Sequence, residues 1–547
     1  MKKADLIVKG NAVFTGLQDR PEKGAVVITG KLITEVLAGE GVAVALESYS
    51  SDTKILDFGN RMIMPGFIDA HAHYFMGAII ASSYICKEIC RATSEAETVG
   101  MLVEFAKAYP EAKRIAGFGW SQSNWKGAPL PDCRLLDQSF PNTPVYLMCA
   151  DGHSMWVNTK ALEESGITGG EILASGKIGK FSDGSLNGML FEVGASRPAI
   201  EKMLTFTPEQ MLICQKEFIG HIHSCGVTSV GDMSSSGLDE GTKYSCSVLK
   251  ELEKMDALTL RIHLHLGLDD IEEYKDVLAY CAELESEKIR ISGLKSFVDG
   301  VTSTYTAYLT EPYSDNPNTR GALINPEKTY AQRITQANGN MLGVRLHAIG
   351  DGAVHTALDA FEQSNAENNN PGNYKEIRNS IEHIETILPE DIQRFAELGV
   401  IASMQPSHLI LDANEKIARL GEKRSKYEWI HKTLMESGAH VAFGTDYPII
   451  DFNPFPSVYA AVTRCDSAGN PSGINPEEKV SLTQALRAYT AEGAYVYGRE
   501  KELGTLEPGK LADIVVVDRN PFEIPEFEIQ NCKTIMTIVD GRIVFQE

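Results

Sequence analysis

The chain has 547 residues, of which 43% are hydrophobic and 8% aromatic, so it has enough apolar material for a buried core and wholesale disorder is excluded. Lys and Arg number 51 and Asp and Glu number 74, which gives a net charge of −23. A chain this acidic is a poor partner for nucleic acid or an anionic membrane, because phosphate attraction needs a positive surface. We therefore expect a small-molecule substrate, with no nucleic-acid and no membrane partner.

The ten cysteines extend from Cys86 to Cys532 without a CxxC pair, so they predict neither a disulfide framework nor a zinc ribbon. The opening residues, MKKADLIVKGNAVF, contain no apolar segment of signal-peptide length. No run approaches the roughly 18 apolar residues that a membrane span needs. We expect a cytoplasmic protein.

Both ends of the chain are predicted to form short strands separated by glycine-containing turns. ADLIVKG and TKILDFGN near the start, and LADIVVVDRN and KTIMTIVDGRIVFQE near the end, show no helical periodicity. Neither end is long enough for a core of its own, and chain termini often lie close together. We predict one small β-domain built from residues 1–60 and 500–547.

Between the two ends, short apolar strands alternate with amphipathic helical segments, which indicates a parallel sheet. The predicted strands lie within residues 61–75, 226–233, 259–268, 290–300, 343–351, 378–385, 399–406 and 440–448. Eight such repeats without a Rossmann-type glycine fingerprint predict an α/β fold of the (β/α)8 barrel type. The barrel would comprise residues 61–80 and 226–499, and residues 81–225 would form a large insertion that covers the barrel mouth as a lid.

Potential metal ligands follow the predicted barrel strands, where the active sites of such barrels lie. They are His71 and His73 at the end of the first strand, Lys295 on the fourth, His347 and His383 at the ends of the fifth and sixth, and Asp446 at the end of the eighth. Residues two apart in a strand point the same way, so His71 and His73 can bind one ion. Histidine with carboxylate suits zinc or a similar transition metal.

Two further HxH pairs are weaker candidates. His221 and His223 lie in a predicted helix, where residues two apart point away from each other. His263 and His265 lie in the middle of a strand, where a packed core position is favoured over a role in lining the barrel.

Lys295 can bind a metal only in a modified form. An ammonium group cannot bind a metal, whereas a lysine carboxylated by CO₂ offers two anionic oxygens.

The stretches MPGFIDAHAH, ADGHSMWVN, GVTSVGDM, GLKSFVDG, HAIGD, IEH, GTDYP and LEPGKLADIVVVD follow one another along the whole chain. In order and spacing they resemble the amidohydrolase superfamily, and within it the YtcJ-like branch (amidohydrolase family 3). The resemblance implies a metal-dependent hydrolase with a (β/α)8 barrel and a composite β-sandwich made from both termini.

The same resemblance implies two divalent ions bridged by carboxylated Lys295. We expect zinc, with iron and manganese as alternatives. His71 and His73 would bind the more buried ion, and His347 and His383 the more exposed one. Asp446 would contact the first ion and the catalytic water. Glu192, an acidic residue of the insertion, is the alternative bridge and would replace Lys295 in that role.

Two cations that share one water lower its pKa towards neutrality, and the resulting metal-bridging hydroxide would attack a substrate carbonyl. Asp446 would accept the proton and pass it to the leaving nitrogen. His153 would donate a hydrogen bond to the oxyanion, and the alternative is a solvent-facing histidine in a turn. These roles predict an amidohydrolase that cleaves C–N bonds other than peptide bonds, for example in an N-acyl or N-formyl amine.

Substrate contacts are predicted from Trp120 and Trp125 of the insertion, because indoles offer large apolar walls with one polar atom. The alternative is that both belong to the core of the insertion. Arg464 would bind a substrate carboxylate or else be an ordinary surface arginine.

Two other functions remain open. One is a mononuclear deaminase or cyclic-amide hydrolase acting on a heterocycle, which needs no bridging lysine. The other is a non-catalytic regulator on the same scaffold. As for assembly, a homodimer is compatible with the sequence.

Overall fold

The computed structural model describes the chain apart from residues 1, 40, 111, 126, 128, 151–153, 172–175, 234–236, 369–376 and 412. The chain divides into two compact units, Met1–Phe75 with Ile219–Glu547, and Met76–Phe218. Among the described residues, no helix combines the length and the apolar character that crossing a membrane requires.

The strands of the described residues are numbered in chain order. They are β1 (Leu6–Val13), β2 (Glu22–Thr29), β3 (Leu32–Ala38), β4 (Lys54–Asp57), β5 (Met62–Pro65), β6 (Phe67–Ala72), β7 (Ile85–Cys86), β8 (Ile115–Trp120), β9 (Val145–Cys149), β10 (Ser154–Val157), β11 (Lys177–Lys180), β12 (Leu186–Phe191), β13 (Val227–Asp232), β14 (Arg261–Gly267), β15 (Ile289–Phe297), β16 (Val344–Ala348), β17 (Ser380–His383), β18 (Ile401–Met404), β19 (Val441–Phe443), β20 (Ile514–Val517), β21 (Thr534–Val539) and β22 (Arg542–Gln546).

The helices of the described residues are numbered in the same way. They are α1 (Val42–Leu46), α2 (Tyr74–Ala81), α3 (Glu95–Ala108), α4 (Cys133–Ser139), α5 (Thr159–Glu164), α6 (Val193–Met203), α7 (Pro208–Ser224), α8 (Glu240–Lys254), α9 (Tyr274–Leu284), α10 (Glu327–Gly339), α11 (Asp351–Glu367), α12 (Ile392–Leu398), α13 (His408–Leu411), α14 (Ala413–Ser425), α15 (His431–Glu436), α16 (Pro454–Thr463), α17 (Leu482–Ala488) and α18 (Ala491–Val496).

Both chain ends contribute to one β-sheet, as the sequence predicts. Its strand order is β22-β21-β20-β5-β1-β2-β3, and β4 pairs with β1. Successive side chains of a strand point to opposite faces. Accordingly Leu6 and Val8 enter one apolar core of this domain, while Ile7 enters the other. Burial on both faces explains why the central strands β5 and β20 are continuous apolar runs.

The first predicted barrel strand divides at Gly66. Residues Met62–Pro65 pair with β20 and β1 of the terminal sheet, and only Phe67–Ala72 belongs to the barrel. A Cβ at position 66 would come within 2.4 Å of Cγ2 of Thr228, so only glycine allows this close approach. The assignment of the whole segment 61–75 to one barrel strand is therefore wrong.

The predicted barrel is confirmed. Eight strands form one sheet in the order β6-β13-β14-β15-β16-β17-β18-β19, and neighbouring strands are parallel. Backbone hydrogen bonds close the ring beyond β19, where Asp446 N donates to His71 O (2.7 Å) and His73 N donates to Tyr447 O (2.9 Å). The carboxyl ends of all eight strands therefore surround one rim.

The helices between barrel strands follow from local signals. Asp239 begins α8 by accepting a hydrogen bond from Thr242 N (2.7 Å), a typical N-cap. The buried residues Cys246, Leu249 and Leu252 of α8 recur every three residues and form one apolar face.

Candidate metal centre

The rim of the barrel brings together four of the predicted histidines. Ring centroids lie 5.8 Å apart for His71 and His73, 4.9 Å for His71 and His383, and 4.5 Å for His347 and His383. His73 has 25% of its side chain exposed, while the other three rings are almost fully buried. Imidazoles from three separate strands therefore converge on one small volume.

Asp446 lies at the centre of this cluster. Its Oδ1 is 3.3 Å from His71 Nε2 and 3.2 Å from His73 Nε2. Burial alone would raise the pKa of the carboxyl group, but the neighbouring imidazoles hold that pKa well below its usual range. The group is therefore an anion that faces several metal-binding nitrogens.

His408 is a neighbour that the sequence analysis missed. Its Nε2 lies 3.9 Å from Asp446 Oδ2, and its ring stacks against His383 at a centroid distance of 6.2 Å. Two groups of three ligand atoms, each within 4.8 Å of one another, thus share Asp446: His71, His73 and Asp446, and His383, His408 and Asp446. Two adjacent cation positions fit this arrangement.

Glu382 fixes the orientation of the His71 ring. Its Oε2 accepts a hydrogen bond from His71 Nδ1 (2.7 Å), while Arg345 Nη1 (3.4 Å) and the hydroxyl of Ser380 contact its Oε1. Burial would raise the pKa of Glu382, but Arg345 and His71 hold it well below its usual range. An ionised carboxylate can only accept, so Nδ1 carries the hydrogen, and Nε2 is the nitrogen that faces Asp446 Oδ1 at the centre.

We expect Glu382→Gln to weaken metal binding and activity by about 10- to 100-fold, because the amide no longer holds His71 in one tautomer. Metal retention against a chelator and kcat measure this effect. Glu478→Gln is the matched control, because Glu478 is also a buried glutamate but accepts from Thr433 on α15. Unchanged retention and kcat in a folded Glu382→Gln variant would contradict the orienting role.

His347 and His383 are oriented in the same manner. Gln405 Oε1 accepts from His383 Nδ1 (2.8 Å), and Gly300 O accepts from His347 Nε2 (3.1 Å). One nitrogen of each ring is therefore left as an acceptor. Burial lowers the pKa of His347 to about 3 and that of His383 well below its usual range, so both rings are neutral, as metal ligands must be.

Lys295 occupies β15 with 1% exposure, and its Nζ has no hydrogen-bond partner among the described residues. Burial lowers the pKa of Lys295 to about 8. A buried amino group without a partner is unfavourable, and in its neutral form it can react with CO₂. Conversion to a carbamate would give this position the anionic oxygens that a metal centre needs, so the donor set fits divalent cations.

Asp69 joins the first and last strands of the ring. Its Oδ1 accepts from His71 N (3.0 Å) and Thr445 N (3.1 Å), and its Oδ2 accepts from the Thr445 hydroxyl (2.6 Å). Burial raises the pKa of Asp69 to about 6. Because its partners are backbone amides and a hydroxyl, this residue holds the loop that carries Asp446 and does not orient an imidazole.

His263 and His265, the HxH pair on β14, lie in the core, which is the position that the sequence favoured. His263 stacks on Tyr497 at 3.9 Å, and His265 Nδ1 donates to Asp232 O (3.0 Å). Burial lowers both pKa values well below the usual range.

Arg464 is neither a surface arginine nor a group directed at substrate. It is 2% exposed and ends α16 in the left-handed region, with φ of 55°. Its Nε donates to Ile474 O (2.9 Å) and its Nη1 donates to Trp429 O (3.0 Å). The guanidinium binds backbone carbonyls, so we correct both roles considered from the sequence to a structural one.

Two other candidates belong to the insertion. His153 lies outside the described residues. Glu192, the alternative bridge, is an exposed residue directly after β12 with φ of 64°. Its bridging role stays a prediction.

Trp120 and Trp125 lie in the apolar core of the insertion, at 1% and 2% exposure. Their ring centroids are 5.6 Å apart, and both pack against Trp156, at 5.8 and 6.1 Å. Trp120 Nε1 donates to Leu147 O (3.1 Å). This is the core role that the sequence left as the alternative to a substrate wall.

We expect Trp120→Ala to lower the free energy of unfolding of the insertion by about 3–5 kcal/mol, because it removes a buried indole from a three-ring cluster. Trp120→Phe, which keeps most of the apolar volume, should lose less. Denaturant unfolding followed by tryptophan fluorescence checks this. Native stability together with a raised KM for bulky substrates only would instead restore the substrate-wall role.

Comparison with known proteins finds one matching family, similar proteins and similar solved structures. The sequence model of the Amidohydrolase family matches residues 54–545. YtcJ of Bacillus subtilis (strain 168) is 26% identical over 98% of this chain and 99% of that protein. The N-substituted formamide deformylase of Arthrobacter pascens is 25% identical over 90% of each chain. A crystal structure of an uncharacterized metal-dependent hydrolase from Pyrococcus furiosus has a TM-score of 0.76 at 27% identity, covering 95% of this chain and 100% of that one.

Proposed function

Because the chain belongs to the amidohydrolase family, we propose that it is a metal-dependent hydrolase that cleaves a C–N bond of the amide type in a small molecule. The observation that carries the proposal is the pair of ligand groups that share Asp446. Such an arrangement suits two divalent ions, of which zinc is our choice because the donors are imidazole and carboxylate.

The ligands divide between the two positions. His71 and His73 would hold one ion together with Asp446, and His383 and His408 form the second group with Asp446. We assign His347, whose ring centroid lies 4.5 Å from that of His383, to the second ion as well. When bound, such ions activate a water molecule and polarise a carbonyl group. We propose that carboxylated Lys295 would supply oxygen ligands to both ions and so act as the bridge between them. The neutral Nζ forms a bond to the carbon of CO₂, one N–H proton leaves to solvent, and a carbamate anion remains.

Asp446 is our candidate for the proton carrier. Its carboxylate is ionised and lies at the rim, where it can accept a proton from the attacking water and return it to the leaving nitrogen. Both His383 and Asp446 have positive φ, 76° and 56°. Such backbone conformations are costly for residues other than glycine, and at this rim they aim both side chains at one point.

We propose N-acyl or N-formyl amines as the substrate class. The support is the similarity to a relative named as an N-substituted formamide deformylase, together with a rim where imidazoles surround the carboxylate of Asp446. A mononuclear deaminase would need only one of the two ligand groups.

The test combines metal analysis with a substrate screen. Purified protein is assayed against N-formyl amines, N-acyl amines, cyclic amides and amino-substituted heterocycles, with Asp446→Asn as the background control. We expect amine release from the first two classes, which is absent in the variant. Deamination of heterocycles by protein with a single barrel ion would replace the proposal with the mononuclear alternative.

A further inference from the structure

A second set of metal-type side chains lies where α7 ends. His221 and Cys225 are four residues apart, and Cys225 N donates to His221 O (3.3 Å), so the helical turn continues and both side chains share one face. Asp451 approaches this face from the segment between β19 and α16. Its Oδ1 is 3.2 Å from His221 Nε2 and 3.9 Å from Cys225 Sγ.

These three side chains converge on a single point. All three ligand atoms lie within 4.8 Å of one another, and one carboxylate oxygen accepts from both the imidazole and the thiol. A cation at this point would replace the two donated hydrogens, leaving a thiolate and an imidazole protonated at Nδ1. Burial and Asp451 raise the pKa of the Cys225 thiol to about 12, so metal binding would have to displace its proton.

The donor chemistry selects the kind of cation. Thiolate, imidazole and carboxylate together suit zinc, whereas magnesium and calcium prefer oxygen ligands alone. The Asp451 side chain is 62% exposed and that of His221 39%, so an ion can enter from solvent. Three protein ligands would leave a fourth position for water.

We propose that His221, Cys225 and Asp451 form a zinc site separate from the barrel centre. Asp451 follows Asp446 by five residues, and the ring of Tyr447 stacks on that of Phe452 at 4.7 Å, which makes the intervening segment compact. Zinc bound here would join α7 to the segment that carries the proposed proton carrier.

The test uses the full-length protein, stripped of metal and titrated with Co²⁺. A cobalt–thiolate pair gives a charge-transfer band in the near ultraviolet, and the ligands of the barrel centre include no cysteine. We expect the band in the wild type, its disappearance when Zn²⁺ is added, and its loss in Cys225→Ser. Cys465→Ser is the matched control, because Cys465 is also partly exposed, and its band should persist.

Two further variants test the contribution of the other two proposed ligands. Asp451→Asn and His221→Gln change partly exposed side chains, and each should move the midpoint of the titration to higher Co²⁺ concentration. A folded wild type without the band at saturating Co²⁺, or a band that survives in Cys225→Ser, would overturn the site. The band does not depend on turnover, so this result is separate from the proposed hydrolysis of C–N bonds.

Discussion

Asp446→Asn is expected to abolish turnover while the fold survives. The variant keeps the shape of the side chain but removes the negative charge between His71 and His73 and the group that would carry the proton. Loss of a general base that also contacts a metal should cost about 10²–10⁴ in rate or more. The measurement is kcat on the best substrate from the screen, alongside metal content and circular dichroism.

Asp466→Asn is a suitable control for this experiment. Asp466 is a partly exposed carboxylate whose Oδ1 accepts from Asn470 N (2.8 Å) in the turn that follows α16. The control should retain wild-type kcat. An active Asp446→Asn protein with normal metal content would remove Asp446 from the proposed mechanism.

The barrel and its main ligands could be predicted because both follow from local patterns. Short apolar strands alternate with amphipathic helices, and the barrel topology places every strand end at one rim. Histidines that end β6, β16 and β17 must therefore meet, although they are up to 312 residues apart in sequence (383 − 71 = 312).

The partners of these ligands could not be predicted because they depend on the backbone of neighbouring strands. Alternation in a strand predicts that Glu382 and His383 point to opposite faces. In the structure both approach His71, because His383 has a positive φ of 76°. No sequence pattern signals this conformation. His408 follows the seventh predicted strand in the same manner, but QPSH contains no spacing that distinguishes it.

Burial accounts for the other residues whose environment in the structure differs from the predicted one. Trp120, Trp125 and Arg464 carry groups that bind ligands on many protein surfaces, yet each is at least 98% buried here among apolar rings or backbone carbonyls. Gly66 lies where one apolar run divides between two sheets, at a point where Thr228 leaves no room for a Cβ. Both features depend on residues distant in sequence, which composition and periodicity do not report.

Lys295→Ala should reduce the barrel centre from two ions to at most one. The variant removes the group that would carry the proposed bridging oxygens, and Nζ of Lys295 has no hydrogen-bond partner among the described residues. Elemental analysis is best done in a Cys225→Ser background, so that the proposed thiolate site does not add to the count. Lys288→Ala is the control, because Lys288 precedes the other end of β15 and pairs with Asp540.

The carbamate also predicts that metal binding depends on CO₂, which can be tested independently of the Lys295→Ala variant. Because burial lowers the pKa of Lys295 to about 8, a useful fraction of its amine is neutral near physiological pH and free to add CO₂. Metal-stripped protein should therefore regain both barrel ions and its activity when Zn²⁺ and bicarbonate are supplied together, and should regain them poorly with Zn²⁺ in CO₂-free buffer. If the wild type binds one barrel ion, Lys295→Ala binds the same, and bicarbonate changes neither, then the binuclear centre bridged by Lys295 is wrong and the mononuclear alternative replaces it.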